Sequence, residues 1–509
     1  MESLSDAPWD VIIQGTGLPQ SLLALALSRS GKKVLHLDSN HYYGGSEAAF
    51  SLDEAQEWAA GVNDAITGSC PFRDVSILTP QAQDTPDASF PKLASSRSYT
   101  LSLSPQFLYT RSKLISSLIS SKVFRQLEFM AVGSWWIYAP GQTESENSNP
   151  GAENDFYRVP GNREDVFAAN HISMKSKRSL MRLLRHITKP KDDEDNVEDE
   201  ELSIPFHDYL TSKFSVPEEL HNPLLSLTLS QLPQKETLAA YAIPRIERHL
   251  TSIGALGPGF GAVVAKYGGG AEILQVACRA SAVGGGVYAL STTLSEVRHS
   301  QEDKEHPLQV KLLSGESLQT KFVFGSMADH PDEGDISKPH IEVARSVTVV
   351  SATFPSLFPV TVEGAPLPAS TVLMFPGETL GNPQSPPVYL QVHSSDTGVI
   401  YGSVALAGSE GQALLESAIN RLVEADGPGS SVLWSLRYTH RGRLSTDETR
   451  WELDSAVPCY LRFPPSSLDL SFEDDTLDLV KQAWKKVMGD EVDDDDFMVF
   501  EDRDGASDQ

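Results

Sequence analysis

The stretch Asp10-Val11-Ile12-Ile13-Gln14-Gly15-Thr16-Gly17-Leu18-Pro19-Gln20 (DVIIQGTGLPQ) decides the fold. Residues 10–14 read as a short apolar strand and Gly15-Thr16-Gly17 as a tight turn. Residues 18–30 read as a helix, with Leu18, Leu22, Leu25 and Ala26 at helical spacing and Gly31 as its stop. Lys33 to Asp38 (KVLHLD) is the next buried strand. Strand, GxG turn, helix and a second strand ending in an acid is the opening of a dinucleotide-binding βαβ unit. There the first glycine makes the turn and the second lets a pyrophosphate approach. The third lets the helix pack on the strand, and the acid takes a ribose hydroxyl. Gly15, Gly17 and Asp38 fill three of these places, but Gln20 stands at the third glycine. The scaffold is intact and the binding signature is damaged, so these residues alone leave a bound flavin open.

Beyond this start the pattern runs β-rich, helical, β-rich. Residues 64–98, rich in Pro, Ser and Asp, read as a long loop with little regular structure. Helical spacing is predicted over 104–129, 163–188, 204–232 and 235–253. Later come a helix over 272–283, a strand over 286–290, two strands around Ser314-Gly315, mostly strands over 343–407, and a helix over 475–487. This order predicts an α/β flavoprotein-like (FAD/NAD(P)-binding) Rossmann-type lobe with an inserted all-helical lobe. The α/β lobe is discontinuous (1–103 and 246–488) and the helical lobe takes 104–245. Polar inserts near 141–154 and 189–201 read as solvated loops, and 489–509 as an acidic flexible tail.

Lys and Arg total 41 against 69 Asp and Glu, a formal net charge of -28. Such a surface repels phosphate backbones and anionic headgroups, so neither nucleic acid nor constitutive membrane binding is expected. Three cysteines (Cys70, Cys278 and Cys459) lie far apart without CxxC spacing, which fits a reducing, cytosolic setting. The acidic first residues and the lack of a spanning apolar run predict no signal peptide and no membrane span. Ser507-Asp508-Gln509 carries no prenylation cysteine, which predicts no lipid anchor of its own. No HExxH, GxSxG, Walker loop or His/Cys cluster occurs, so no catalytic residue and no metal site are expected. His36, inside the second strand, reads as a satisfied core residue.

Residues 10–50, with the GTGL turn, the GKKVLH-x-D strand and Tyr42-Tyr43-Gly44-Gly45, closely resemble the opening of the family of Rab GDP-dissociation inhibitors and Rab escort proteins. Residues 267–290 (YGGGAEILQVACRASAVGGGVYAL) resemble that family's second signature. Glu272, Gln275 and Arg279 are spaced i, i+3, i+7 and fall on one narrow helix face. The resemblance implies that they form a Rab-binding platform with Tyr43. It also implies a non-catalytic protein without cofactor, Gly15, Gly17 and Asp38 being vestigial.

The two branches of the family differ in docking to Rab geranylgeranyltransferase. In the escort branch a Phe and an Arg of the helical lobe make that contact, and here they match Phe167 and Arg178. On one helix this eleven-residue spacing would place both on one face, roughly 16 Å apart. The implied function is that of an escort, the accessory component A of the transferase. It would bind unprenylated, GDP-bound Rab GTPases, present them to the transferase heterodimer, shield their geranylgeranyl chains and deliver them to membranes. The alternatives are a Rab GDP-dissociation inhibitor that recycles prenylated Rab, and a flavin-dependent oxidoreductase.

Overall fold

The computed structural model describes residues 4–5, 7–64, 70–80, 92–141, 155–161, 165–166, 173–188, 202–300, 303–327, 341–382, 384–394, 398–444, 450–454, 457–489 and 492–500. The inserts called near 141–154 and 189–201 fall almost wholly outside them, as do much of the predicted 64–98 loop and the end of the acidic tail.

The opening βαβ unit forms as its sequence dictates. Strand β1 (Trp9–Gln14) pairs in parallel with β2 (Val34–Leu37), and α1 (Leu18–Arg29) crosses between them. Every α1 residue from Leu18 to Ser28 is buried except Pro19. A helix apolar on all sides must be covered on all sides, and α1 is clasped by the Gly270–Val283 and Asp474–Met488 helices. Ser28 Oγ donates to Ser281 Oγ at 2.9 Å, and a Cβ on Gly284 would stand 2.9 Å from the Ser28 carbonyl carbon. Only a glycine fits so close a backbone approach.

On one side of β1 and β2 lies the edge strand Val287–Ala289, and on the other Ser317–Ser326, both parallel to their neighbours. Leu308–Leu312 and Leu294–His299 extend this eight-stranded sheet antiparallel, and Tyr460–Phe463 joins it in parallel. A second, ten-stranded and mostly antiparallel sheet includes Ile341–Val350, Gly398–Val404 and Val432–Gly442. Against its far end pack the helices Met174–Ile187, Phe206–Phe214, His221–Thr228 and Ala239–Ser252, around one apolar cluster.

Several expectations need correction. The predicted 104–129 helix is only Lys113–Ser120, because Lys122 adopts a left-handed φ of 61°. Leu108–Tyr109 and Phe129–Tyr138 are strands of the second sheet, so this part of the predicted all-helical segment is sheet. The 204–232 helix is broken where Ser215 takes φ 51° ahead of Pro217. Within 64–98, Phe72–Leu78 is a strand pairing with Val432–Gly442.

Candidate functional site

The Gly270–Val283 helix begins at a glycine turn and buries Ile273, Leu274, Val276 and Ala277 against α1 and its sheet. Its outer face presents Gln275 and Arg279, both exposed, and Arg279 Nε donates to the Gln275 carbonyl at 3.4 Å. Glu272 shares their side of the wheel but is buried. Its Oε2 accepts from the Tyr267 amide at 2.8 Å, and its Oε1 from the Glu128 amide at 3.4 Å. Glu272 therefore orders the turn before the helix and ties it to the neighbouring strand, while Gln275 and Arg279 face outward.

Tyr43 reaches the same place from the other family turn. Its hydroxyl lies 2.6 Å from Ser21 Oγ on α1, and burial pushes its pKa up. Its ring stands 5.9 Å from Tyr288, centroid to centroid, and both phenols approach Cys278 on the platform helix. The half-buried Tyr43 thus meets this helix at Cys278, while Gln275 and Arg279 lie exposed on its outer face and Glu272 is buried. Tyr288 was not singled out by the sequence reading. Its alternation within the edge strand was the available signal.

Arg178 is exposed on the Met174–Ile187 helix, with Leu180, Leu183 and Ile187 buried beneath. Phe167 lies outside the described residues. Ser173 caps this helix in an extended conformation (ψ 153°), its Oγ accepting from the Ser176 amide. One continuous helix from 167 to 178 is therefore excluded, and the 16 Å spacing does not apply.

At the dinucleotide motif, Gly15 turns with φ 85°. Asp38, whose pKa burial raises, has both oxygens taken by the chain. Oδ2 accepts from the Thr16 amide at 2.9 Å and from Thr16 Oγ1 at 2.5 Å, and Oδ1 from the amide and side chain of Asn40 at 2.8 and 2.9 Å. Thr16 Oγ1 accepts from the Gly44 amide at 2.8 Å, which locks the two family turns together. A Cβ on Gly17 would meet Gln20 Oε1 at 3.0 Å and Glu47 Oε2 at 3.3 Å, so two acceptor side chains flank the approach a pyrophosphate would use. An acidic side chain there offers a phosphate no compensating positive charge, and both Asp38 oxygens are already taken by Thr16 and Asn40. These residues do not fit a flavin or nicotinamide dinucleotide. His36 lies in the core as expected but is only half satisfied: its Nε2 lies 2.6 Å from the Gly15 carbonyl, its buried Nδ1 has no partner among the described residues, and burial lowers its pKa to about 4.

Among solved structures, the chain overlays a Rab GDI from Plasmodium falciparum with TM-score 0.64 at 17% identity, covering 95% of this chain and 99% of that one. An oxidoreductase from Methanosarcina mazei overlays with TM-score 0.54 at 13% identity, over 94% of this chain and 99% of that one. That likeness shows the flavoprotein-type fold alone. Among curated proteins, a Rab proteins geranylgeranyltransferase component A from Candida albicans is 30% identical, over 62% of this chain and 47% of its own length. One of the same name from Drosophila melanogaster is 30% identical, over 66% and 63%. A Rab GDP-dissociation inhibitor from Saccharomyces cerevisiae is 25% identical, over 58% and 59%. The chain spans about half the length of the first curated relatives it matches. The sequence model described as "GDI: GDP dissociation inhibitor" matches residues 5–67 and 75–357, well over half of the chain and both locked turns. This chain belongs to the GDP dissociation inhibitor family.

Proposed function

We propose that this chain is a non-catalytic escort for Rab GTPases that serves Rab geranylgeranyltransferase as its accessory component A. The observation that carries this reading is the outward-facing pair Gln275 and Arg279 on a helix that Tyr43 meets at Cys278, built on a fold whose nucleotide seat is lined by its own acceptor side chains. The platform would bind the GDP form of an unprenylated Rab, with Glu272 ordering the turn. A tethered Rab tail reaches the transferase at a raised effective concentration. After transfer, two geranylgeranyl chains need shelter from water, at about 0.8 kcal/mol per buried methylene. The apolar cluster among the helices between Met174 and Ser252 is the natural shelter during cytosolic transit and membrane delivery.

The escort reading is favoured over a plain inhibitor by the names of the relatives at 30% identity. A second support is the exposed face of the Met174–Ile187 helix, where Lys175, Arg178 and Arg185 stand in an otherwise strongly acidic chain. Arg178 would dock the transferase on this basic face, with Phe167 as the aromatic part of the contact. A recycling inhibitor is the second reading, supported by the overlay on a Rab GDI over almost its whole length. Reconstitution separates them: transferase heterodimer, unprenylated Rab and radiolabelled geranylgeranyl donor, with and without this chain. Label transfer that requires the chain supports the escort. Extraction of prenylated Rab from membranes without any support of prenylation overturns it.

A further inference from the structure

On the Ile341–Val350 strand of the second sheet, alternation turns Arg345 to the face it shares with Tyr401 and Tyr438 of the flanking strands. Arg345 is 1% exposed, and its Nη2 donates to the Leu468 carbonyl at 2.7 Å. Its Nε and Nη1 are buried as well and have no acceptor among the described residues. Arginine stays protonated inside proteins, so this is a full buried charge. Asp469 is the acid whose field it feels. That carboxylate, however, accepts from the Tyr241 and Ser467 hydroxyls at 3.0 and 3.1 Å and lies 3.7 Å from Arg245. Glu473 is held by Arg245 and Arg248 at 2.9 and 3.1 Å. Two carboxylates thus face three guanidiniums, and the surplus positive charge rests on Arg345. His440, kept neutral by burial and by the Arg345 charge itself, does not offset it.

Arg345 lines a cavity of ≈ 10 Å³, room for about one small body. The other polar side chains of the wall, Tyr389, Gln391, Tyr401 and Ser403, are uncharged. The Tyr389 hydroxyl donates to the Leu225 carbonyl at 3.4 Å, and the Ser403 hydroxyl to Gln231 Oε1 at 2.5 Å. Gln391 Nε2 reaches Ser370 Oγ at 3.5 Å. The Tyr401 hydroxyl accepts from the Ser102 amide at 3.4 Å, which leaves its own proton to give. The buried unpartnered side-chain atoms of this wall, among the described residues, are the two Arg345 donors. Ser346 Oγ and Gln412 Oε1 are also unpartnered, but they line a different pocket on the opposite face of the strand.

We propose that this cavity binds a chloride ion, which accepts from Arg345 Nε and Nη1 and serves as the buried counter-ion of the guanidinium. Water could accept the same N–H groups but would leave the charge unmet, and a buried ion without a counter-charge is strongly unfavourable. Polyatomic anions such as sulfate and phosphate exceed the space.

The test is the melting temperature of the full chain in sodium gluconate, with chloride substituted stepwise at constant ionic strength. The expected result is a saturable rise with chloride, on top of a linear salt effect that every variant shares. Arg345→Met removes the charge, and Gln391→Glu places a carboxylate in the same wall. Each should abolish the saturable rise. A rise that either folded variant retains overturns the proposal. So does a parent chain that shows the linear effect alone, in which case water fills the cavity. If neither variant folds, anomalous diffraction from a crystal of the parent soaked in bromide decides. A bromide peak within hydrogen-bond reach of Arg345 Nε or Nη1 supports the site, and its absence overturns it.

Discussion

The Tyr43 hydroxyl lies 2.6 Å from Ser21 Oγ, so this half-buried side chain is fastened to the buried α1 helix. Tyr43 is held in place by the scaffold, whereas Arg279, among the described residues, hydrogen-bonds within its own helix. That difference separates residues whose loss should affect binding alone from residues whose loss should affect folding.

Arg279→Ala is expected to leave the melting temperature unchanged and to weaken binding of a GDP-loaded Rab by about 1–3 kcal/mol, the usual range for a charged interface hydrogen bond. Gln275→Ala should act in the same direction and more weakly. Calorimetric titration of Rab·GDP into each variant checks this, and unchanged affinity for both would move the docking surface elsewhere.

Glu272→Ala should behave differently. It strips the Tyr267 and Glu128 amides of their acceptor, and each lost hydrogen bond is destabilising by about 0.5–1.5 kcal/mol. Denaturant unfolding should show the loss. A variant as stable as the parent would mean that Glu272 is free to face the partner.

Arg178→Glu reverses the charge at the centre of the basic face on the Met174–Ile187 helix. The expected result is loss of Rab prenylation in the reconstituted assay with Rab binding retained, since Arg178 and Arg279 lie on helices packed into different apolar clusters, and sites without shared partners usually act independently. Full-rate prenylation by this variant would remove the docking role of that face.

His36 is neutral in the fold, with its pKa depressed to about 4 from 6.5. The unfolded chain binds one more proton at this residue between about pH 6.5 and pH 4. Stability from His36 is therefore complete above pH 6.5 and declines as pH falls, by about 1.4 kcal/mol per unit within that window. Glu47 and Asp38, with raised pKa values, act in the opposite sense as they protonate. Comparing unfolding free energies of the parent and His36→Gln from pH 7 to pH 4.5 isolates the histidine. The variant should show the shallower loss, and parallel curves would contradict it.

Flavin adenine dinucleotide should not bind, and Gln20→Gly alone should not admit it, because Glu47 and the saturated Asp38 remain. Equilibrium dialysis with flavin detects a failure of this expectation as stoichiometric uptake.

Much of the fold was legible because β1, α1 and β2 state it locally: apolar strand, glycine turn, apolar helix, apolar strand. The 272–283 helix and 286–290 strand were legible for the same reason. Helical spacing, however, gives an angle around an axis and no depth. Glu272 and Gln275 therefore looked equivalent, although a neighbouring strand covers only the first. The segment after Ser120 was misread because a left-handed Lys122 ends the helix where no glycine or proline announces it. Glu47 was not noticed at all, since what makes it notable is Gly17 and Ser466, far away in the chain.

The closed Gly15–Thr16–Gly17 turn bears on which substitutions this family can tolerate. Gly15 keeps a positive φ because Thr16 must present both its amide and its hydroxyl to Asp38. A side chain at Gly15 would strain that conformation whether or not a nucleotide lay nearby. A turn unsuited to a cofactor can thus be under the same mutational constraint as one that holds it. Invariant glycines here would then be evidence about folding, and would say nothing of redox chemistry.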